Sequence, residues 1–444
     1  MAALVLPMQT HQQKVAVATL GCKVNQFESA AFATGFQEQG CEIVSAAGPA
    51  DIAVINTCAV TARAGQQSRQ LIRRLARCNP EARLVLTGCY AQIAAAELPD
   101  LVPGRQVLII GNDSKHLLVE TALAAEPPAL LAGEISAARQ ISLLPVRRFS
   151  GRTRACLRIQ DGCNNFCAYC IVPHARGRSR SLPLAAVLEQ ARIFVEEGYL
   201  ELIITGINVG KYGLDLVEGQ DIYSLLDLLC REFPQLRLRL SSIEPTEVNA
   251  RLLELLTAHR NFMPHLHIPL QSGDSGILAQ MKRRYTAATF AQAVERIHAA
   301  APHAAIGCDI LTGFPGEDEQ AAANTLQLLT DLPISYLHVF PYSIRPGTAA
   351  AAFPEHVPGP VKEERAARLH VLDQEKRTAF QQQQLGTVQR VLLERRDRKT
   401  GLLKGFSENY MPVLCSGPAS LIRTVAPVRL MELREGEVWG ERSD

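Results

Sequence analysis

The chain has 444 residues, of which 47% are hydrophobic and 20% charged, and its formal net charge is +2. This length suggests about three domains, and the composition gives each enough apolar residues for a core, which excludes a wholly disordered protein. No apolar run reaches the ~18 residues that span a bilayer. Residues 1–13 lack the basic and apolar segments of a signal peptide, so we expect a cytoplasmic protein.

The first region, residues 12–125, alternates short apolar runs with segments of helical character. The runs are rich in Val, Ile and Leu, which is typical of strands buried in a parallel sheet with helices between them. We therefore predict an N-terminal α/β domain with a parallel sheet. Its expected strands are Val15–Leu20, Asp51–Ile55, Arg83–Leu86 and Val107–Ile110. Residues 122–147, rich in Ala, Pro and Leu, are predicted to form a linker.

A second alternation of strands and helices occupies residues 148–378. Its six strand–helix units predict an open, partial (β/α)6 barrel, although a doubly wound sheet fits the pattern as well. The expected strands are Ala155–Gln160, Leu200–Thr205, Leu236–Ser241, Leu266–Leu270, Ala305–Leu311 and Tyr336–Phe340.

The last region, residues 380–444, shows short strands split by Gly, Asn and Pro turns. This pattern predicts a small antiparallel β-barrel, so the whole chain is expected to be of the α/β class with a β-barrel at its end. The expected strands are Val388–Leu393, Tyr410–Leu414, Ile422–Val425 and Glu437–Trp439.

The strongest chemical signal is a group of three cysteines, Cys163, Cys167 and Cys170, directly after a predicted strand. A tight loop can direct three thiolates at one soft metal centre. Zinc sites and ordinary iron–sulfur clusters take four protein ligands, whereas three thiolates on a [4Fe–4S] cluster leave one iron open for a small molecule. A zinc site that borrows His174 is the alternative.

Three further cysteines, Cys22, Cys58 and Cys89, each follow a predicted strand of the first region. Because the carboxyl ends of parallel strands share one edge of a sheet, we expect these thiols to converge and to hold a second cluster with an open iron. The alternative is that each is a small apolar residue at a strand end. The remaining cysteines are expected to be small hydrophobic core residues: Cys41, Cys78, Cys156, Cys230, Cys308 and Cys415.

The spacing of Cys163, Cys167 and Cys170 resembles that of the radical S-adenosylmethionine (SAM) superfamily, and Tyr169 matches an aromatic residue common there. With the second cysteine set, residues 13–440 resemble the methylthiotransferase family. The segments Thr19–Asn25 and Gly405–Tyr410 are similar to its MtaB-type branch. This resemblance implies a cluster-binding first domain (12–125), a radical SAM domain (148–378) and an RNA-binding TRAM-like domain (380–444).

The resemblance also implies the reaction. Members of the branch place a methylthio group on carbon 2 of N6-threonylcarbamoyladenosine beside the anticodon of tRNA. The implied cofactors are two [4Fe–4S] clusters and SAM, and the implied partners are tRNA and a reducing donor such as flavodoxin or ferredoxin, with no membrane. The chemistry belongs to the cofactors, so no catalytic side chain is expected.

Other functions remain open at this point. Related branches act on isopentenyladenosine in tRNA or on an aspartate of a ribosomal protein. A non-enzymatic alternative is an iron–sulfur electron carrier or a zinc-stabilised RNA-binding protein.

Polar residues and glycines at the ends of the barrel strands are candidate SAM ligands, because barrel enzymes build their sites there. With Tyr169, these candidates are Thr205, Gly206, Asn208, Ser241, Glu244, His267, Gln271, Asp309 and Gly313.

Local basic patches on a nearly neutral chain indicate a polyanionic partner. Residues 146–180 hold eight arginines and one acidic residue. Arginines and lysines bind phosphates and aromatic rings stack on bases, so we predict a set of RNA contacts. These candidates are Arg176, Arg178, Arg180, Arg396, Lys404, Phe406 and Tyr410.

Overall fold

The computed structural model describes residues 12–216 and 219–443. Most of the segment in which no signal peptide is predicted, residues 1–11, lies outside the described residues, as does residue 444 of the predicted third domain. Contacts divide the chain into two units. Unit 1 comprises residues up to Ala138 together with Ser142–Arg148 and His174–Arg176, and unit 2 comprises Arg139–Ile141, Phe149–Pro173 and the residues from Gly177 onward. Among the described residues, every helix is too short or too polar to cross a membrane.

Unit 1 is built on a parallel sheet. Its strands are β1 (Lys14–Thr19), β2 (Glu42–Val44), β3 (Ile52–Thr57), β4 (Arg83–Gly88), β5 (Val107–Ile110) and β6 (Leu130–Leu131). They pair in the order β2-β1-β3-β4-β5-β6. The helices are α1 (Lys23–Glu38), α2 (Ala62–Cys78), α3 (Cys89–Ile93) and α4 (Leu118–Leu123). The four predicted strands are confirmed; β2 and β6 are too short to leave a hydrophobic pattern, and β6 lies in the predicted linker.

Unit 2 contains six parallel strands that neighbour one another in chain order. With the short hairpin strands β8 and β9, they are β7 (Ala155–Arg158), β8 (Gln160–Asp161), β9 (Arg180–Ser181), β10 (Glu201–Thr205), β11 (Arg237–Leu240), β12 (His265–His267), β13 (Ala305–Thr312) and β14 (Tyr336–Pro341). The groups β11-β10-β7 and β12-β13-β14 are linked by a parallel bridge between Leu238 and Phe262. This arrangement confirms the predicted open (β/α)6 architecture.

Helices follow these strands in the chain. The first, α5 (Val172–Arg176), ends in unit 1, to which His174–Arg176 belong. The helices of unit 2 are α6 (Leu184–Glu196), α7 (Ile222–Glu232), α8 (Ala250–Ala258), α9 (Ser275–Gln280), α10 (Ala287–Ala300), α11 (Glu319–Asp331) and α12 (Gly359–Gln384). Several begin at an N-cap side chain that accepts a hydrogen bond from the first turn, as Asp221 does from the Ser224 N–H and Asn249 does from the Leu252 N–H.

The end of the chain forms a small closed barrel within unit 2. Its strands are β15 (Val388–Arg396), β16 (Leu403–Phe406), β17 (Pro412–Cys415), β18 (Val425–Arg434) and β19 (Glu437–Arg442). They close in the order β15-β16-β17-β19-β18 around an apolar core that includes Val391, Val413 and Val428. The predicted barrel is confirmed, but one pair, β17 with β19, is parallel rather than antiparallel. The sequence did not predict β16, whose Lys404 and Gly405 interrupt its apolar pattern. The predicted strand Ile422–Val425 was also wrong, because residues 422–424 form a turn and β18 begins at Val425.

A buried carboxylate links the parallel strands to the small barrel inside unit 2. Glu201 on β10 is fully buried, and its oxygens lie 2.8 Å from Arg239 Nε and 3.0 Å from Arg237 Nε. The same arginines donate to the backbone carbonyls of Ser407 at 2.8 Å and Glu408 at 2.9 Å. Burial alone would raise the pKa of Glu201, but the two guanidinium groups outweigh it and lower the pKa.

We expect Glu201→Ala to lower the free energy of unfolding by about 3–5 kcal/mol, because it leaves two buried guanidinium groups without their counter-ion. Glu189→Ala, which removes an exposed pairing with Arg192, should cost at most about 1 kcal/mol. Denaturant unfolding of both variants measures the difference, and equal losses would contradict this account. Since the folded-state pKa of Glu201 is lowered, its contribution is present at neutral pH and is lost as the pH falls through that lowered pKa.

Candidate cluster and cofactor sites

Cys22, Cys58 and Cys89 follow three neighbouring strands of the unit 1 sheet. Strands β1, β3 and β4 lie side by side, and their parallel register aligns their final residues. The thiols therefore lie at one edge of the sheet, where Cys22 and Cys89 both act electrostatically on Cys58, and Cys22 acts on Cys89. The structure thus brings together all three residues of the first predicted set.

Two glycines shape the backbone around these thiols. Gly21 has φ +103°, and a Cβ there would lie 2.9 Å from Cys58 Sγ. Gly88 has φ +94°, and a Cβ there would lie 2.3 Å from the Thr57 carbonyl oxygen. These φ values strongly favour glycine, and the missing Cβ of Gly21 lets the backbone approach the Cys58 sulfur closely. Three cysteine sulfurs at one edge of the sheet suit an iron–sulfur cluster.

The protonation of the buried thiols is set by their surroundings. Burial raises the pKa of Cys58 to about 11, and it also raises the pKa of Cys89, against the opposing effect of the Arg176 guanidinium. Cys22 is exposed. Thiols of this kind are protonated at neutral pH and release a proton when they bind metal. Cys58 and Cys89 are therefore better suited to metal ligation than to nucleophilic catalysis, which requires a lowered pKa.

Arg176 lies beside these cysteines in unit 1. Its side chain is fully buried, with Nη1 3.0 Å from Glu28 Oε1 and Nη2 2.6 Å from Asn25 Oδ1. Lys115 Nζ binds the same carboxylate. This burial favours a structural role for Arg176, and the predicted RNA contact stays a prediction. Sequence reasoning missed Glu28 and Lys115, since buried ion pairs leave no local pattern.

Cys163, Cys167 and Cys170 occupy one loop of unit 2, between β8 and α5. The Cys163 N–H donates to the Gly177 carbonyl at 3.1 Å, and the Cys170 N–H donates to the Cys167 carbonyl at 3.0 Å. Burial raises the pKa of Cys163, and it raises that of Cys170 to about 12, with a further increase from Cys167 and Cys163. The structure therefore brings the second predicted set together. His174, the alternative zinc ligand, is a residue of unit 1.

A cavity that is partly open to solvent is lined by Cys167 together with groups of both charges. Arg283 Nη1 donates to Cys167 Sγ at 3.2 Å, and its Nη2 binds Glu244. Burial raises the pKa of Glu244, and Arg283 opposes that rise. Lys211 lines the same cavity and lies 2.8 Å from Glu247 Oε1. Cations and carboxylates beside a cysteine suit a zwitterionic ligand such as SAM; Arg283 and Lys211 were not predicted.

Gln160 connects the cysteine loop to the turn after β10. Its Oε1 accepts from the N–H groups of Ile207 at 3.0 Å and Asn208 at 2.8 Å, while its Nε2 donates to the Gly162 carbonyl at 2.8 Å. Asn208 Nδ2 in turn lies 3.9 Å from Cys163 Sγ. The predicted SAM candidates Asn208 and Glu244 therefore lie at the cysteine loop, and Gln160 is a positioning residue that the sequence did not reveal.

The other SAM candidates near the strand ends are mostly buried. Thr205 is the last residue of β10, and Ser241 directly follows β11; both are buried. Gly206 packs on Gln160. Tyr169 packs against an apolar cluster that includes Phe314. Whether these residues contact SAM stays a prediction.

Gly313 lies in a closed turn. Its N–H donates to Glu317 Oε1 at 2.8 Å, and a Cβ there would lie 2.1 Å from Lys362 Cγ. These contacts favour a structural role for Gly313 over the predicted SAM contact.

His267 and Asp309 belong to a separate polar group within the parallel strands. His267 Nε2 lies 2.9 Å from Asp309 Oδ1, and His338 Nδ1 lies 3.4 Å from the same oxygen. Burial alone would raise the pKa of Asp309, but the two histidines hold it well below its usual range. In the described residues, this is the one set of three His, Cys, Asp or Glu side chains with donor atoms within 4.8 Å of one another. Gln271, with φ +69°, donates its N–H to the Asp309 carbonyl at 2.8 Å.

The remaining RNA candidates differ in exposure. Arg178 is exposed, with its guanidinium 4.9 Å from the centre of the Phe166 ring. Arg180 is 4% exposed, and its Nη1 donates to the Gln140 carbonyl at 3.2 Å. These contacts favour a structural role for Arg180 as well, and its RNA contact stays a prediction. Arg396 is exposed on the small barrel, and Lys404 is half-buried and pairs with Glu437.

Phe406 and Tyr410 stack on each other with ring centres 4.8 Å apart. Arg154 lies 4.5 Å from the Phe406 ring, and Arg239 lies 4.7 Å from the Tyr410 ring. Both rings are half-buried and already engaged by cations of unit 2. These contacts favour a structural role, and base stacking by the two rings stays a prediction.

Comparison with family models matches residues 14–111 to the uncharacterized protein family UPF0004 and residues 157–329 to the Radical SAM superfamily. Among curated relatives, the threonylcarbamoyladenosine tRNA methylthiotransferase MtaB of Bacillus subtilis is 37% identical over 94% of both chains. The MtaB of Aquifex aeolicus is 36% identical over 91% of this chain and 97% of its own. A tRNA-2-methylthio-N(6)-dimethylallyladenosine synthase of Pelotomaculum thermopropionicum is 33% identical over 96% and 97%.

Solved structures share the fold at low sequence identity. The radical SAM methyltransferase TsrM of Kitasatospora setae, solved with cobalamin and a [4Fe–4S] cluster, aligns with a TM-score of 0.57 at 17% identity over 77% of each chain. The cobalamin-dependent SAM radical enzyme OxsB aligns with a TM-score of 0.52 at 11% identity over 82% of this chain and 56% of its own. These likenesses concern the fold alone.

We expect Gly88→Ala to destabilise unit 1 and to reduce iron bound at Cys22, Cys58 and Cys89, because the added Cβ meets the β3 backbone. Gly104→Ala is the matched control, since Gly104 also has positive φ but a Cβ there meets nothing within 4 Å. That variant should cost only the backbone strain of about 1–2 kcal/mol. Chemical unfolding and iron content after anaerobic reconstitution measure both effects. Equal behaviour of the two variants would contradict the steric argument.

Proposed function

The chain belongs to the family of MtaB-type radical SAM tRNA methylthiotransferases, and we propose that it adds a methylthio group to carbon 2 of N6-threonylcarbamoyladenosine beside the anticodon of tRNA. The observation that carries the proposal is the similarity of nearly the whole chain to MtaB relatives, with two separate three-cysteine sites on its own residues. An electron carrier would use cysteine sites without a substrate barrel, so the (β/α)6 unit supports an enzyme.

The residues fit two [4Fe–4S] clusters, one on Cys22, Cys58 and Cys89 and the other on Cys163, Cys167 and Cys170. When bound, the clusters and SAM supply the radical, sulfur and methyl chemistry that the unactivated C–H bond of carbon 2 requires. The chain itself contributes ligation and positioning. Three of the six thiols, those of Cys58, Cys89 and Cys167, are buried and would shield bound iron from water on that side. The chain needs no general base at the reacting carbon.

Unit 2 supplies the groups that would hold SAM. Glu244 can accept from an ammonium group, and Lys211 and Arg283 can donate to a carboxylate, all on the wall of the cavity that Cys167 lines. Gln160 fixes the turn that carries Asn208 next to Cys163. The arrangement therefore favours a ligand bound directly at this cysteine loop.

The partners and location follow from the same proposal. Exposed Arg178 and Arg396, with Lys404, are the basic residues proposed to contact tRNA phosphates. A low-potential donor such as flavodoxin or ferredoxin, a cytoplasmic location and the three-domain division at 12–125, 148–378 and 380–444 are proposals of the same kind. The second candidate substrate is an isopentenyl-type adenosine, which the relative from Pelotomaculum thermopropionicum favours.

The substrate is tested by complementing a bacterial strain that lacks its own MtaB with this chain. Mass spectrometry of tRNA nucleosides should then show methylthiolated threonylcarbamoyladenosine. In a strain that lacks dimethylallyladenosine methylthiolation, the same plasmid should restore nothing. The reverse pattern would contradict the assignment and support the second candidate.

The two cysteine sites are expected to have separable roles. Cys167→Ala should abolish reductive SAM cleavage, whereas Cys58→Ala should retain cleavage and abolish methylthiolation, because each removes an iron ligand from only one site. Cys156→Ala, which alters a buried cysteine on β7 outside both sites, is the control and should retain both activities. Anaerobic assays with dithionite, analysed by chromatography, measure both products. Loss of both activities in folded Cys58→Ala would contradict separate roles.

A further inference from the structure

Arg176 is held rigidly in the interior of unit 1. Its guanidinium is fully buried and lies 3.0 Å from Glu28 Oε1 and 2.6 Å from Asn25 Oδ1. Asn25 is itself fixed, because its Nδ2 donates to the carbonyls of Leu20 at 2.8 Å and Thr57 at 3.0 Å. These carbonyls belong to the strand ends that precede Cys22 and Cys58. The arginine is therefore locked to the same backbone that places the cysteines.

The third nitrogen of this guanidinium faces a sulfur. Arg176 Nε donates to Cys89 Sγ at 3.2 Å, and Cys89 is 3% exposed. The positive charge of Arg176 is therefore held next to the Cys89 sulfur in an environment where solvent and salt screen it little. A charge that stabilises the thiolate at this position also stabilises added negative charge on a metal centre bound there.

Glu28 opposes this influence. Its carboxylate is fully buried and pairs with Arg176 and Lys115. The sulfur of Cys89 thus lies in the field of a buried arginine whose charge is partly offset by one carboxylate. Proteins set the reduction potentials of clusters through hydrogen bonds to the cluster sulfurs and through nearby charges.

We propose that Arg176 is a positioning residue that raises the reduction potential of the cluster on Cys22, Cys58 and Cys89 through its Nε–H···Sγ hydrogen bond and its buried charge. The inference rests on the proposed function, which places a cluster there. In the step concerned, one electron from a low-potential donor enters the cluster, no covalent bond breaks, and the proton stays on Arg176. Glu28 limits the increase in potential.

The test uses the full chain with Cys163, Cys167 and Cys170 all changed to Ala, so that only the unit 1 cluster is loaded. The midpoint potential is read by electron paramagnetic resonance during titration with dithionite. Arg176→Met should make one-electron reduction at least tenfold less favourable, a fall of about 59 mV or more. Arg176→Lys keeps the charge and loses the Nε–H donor. Its midpoint potential should lie between those of Arg176→Met and the parent.

Arg83→Met is the matched control. Arg83 lies at the start of β4, at the opposite end of that strand from Cys89, and donates to the carbonyls of Ala122 and Ala124. Its loss should leave the potential unchanged. Glu28→Gln should shift the potential in the opposite direction, upward, and it tests the proposal even if Arg176→Met does not fold.

An unchanged potential in folded Arg176→Met, or a downward shift in Glu28→Gln, would overturn the proposal. If Arg176 had a purely structural role, Arg176→Met and Glu28→Gln would both lower stability, but their midpoint potentials would not shift in opposite directions. If the parent protein with Arg176 intact binds no cluster in unit 1, the proposed function fails instead, so the two failures are distinguishable.

Discussion

The parallel pairing of β1, β3 and β4 is the constraint from which the chemistry of unit 1 follows. Parallel strands end at one edge, so a cysteine after each of three neighbours produces three sulfurs at one place without any long loop. Gly21 and Gly88 supply the positive φ values that turn the chain toward this edge. A different strand order, or an antiparallel neighbour, would separate the thiols.

Both cysteine sites use an arginine in the same way. Arg176 Nε lies 3.2 Å from Cys89 Sγ in unit 1, and Arg283 Nη1 lies 3.2 Å from Cys167 Sγ in unit 2. Each guanidinium also pairs with a carboxylate, Glu28 in one case and Glu244 in the other. A cation beside a sulfur favours the thiolate that iron requires, and the carboxylate keeps the buried cation from being unpaired. The cavity beside Cys167 adds room for a small ligand in unit 2.

The sequence predicted the fold well where a pattern repeats along the chain, as the apolar strands do. Apolar runs followed by cysteines located both sites, because strand ends and cysteine spacing are local properties. Arg176 shows where this reasoning fails: its neighbours in sequence are basic and suggested a surface loop, whereas its partner Glu28 is 148 residues away. Gln160 and Arg283 were missed for the same reason, and the short strand β16 lacked a hydrophobic pattern.

The central claim is that one chain carries two independent clusters, each on three cysteines. Mössbauer spectroscopy of ⁵⁷Fe-reconstituted protein tests it most directly, with the parent compared with the variant in which Cys22, Cys58 and Cys89 are all alanine. The account predicts [4Fe–4S] signals in both, with about half the cluster iron in the variant. Equal iron in the two proteins, or loss of all cluster iron in the folded variant, would contradict it.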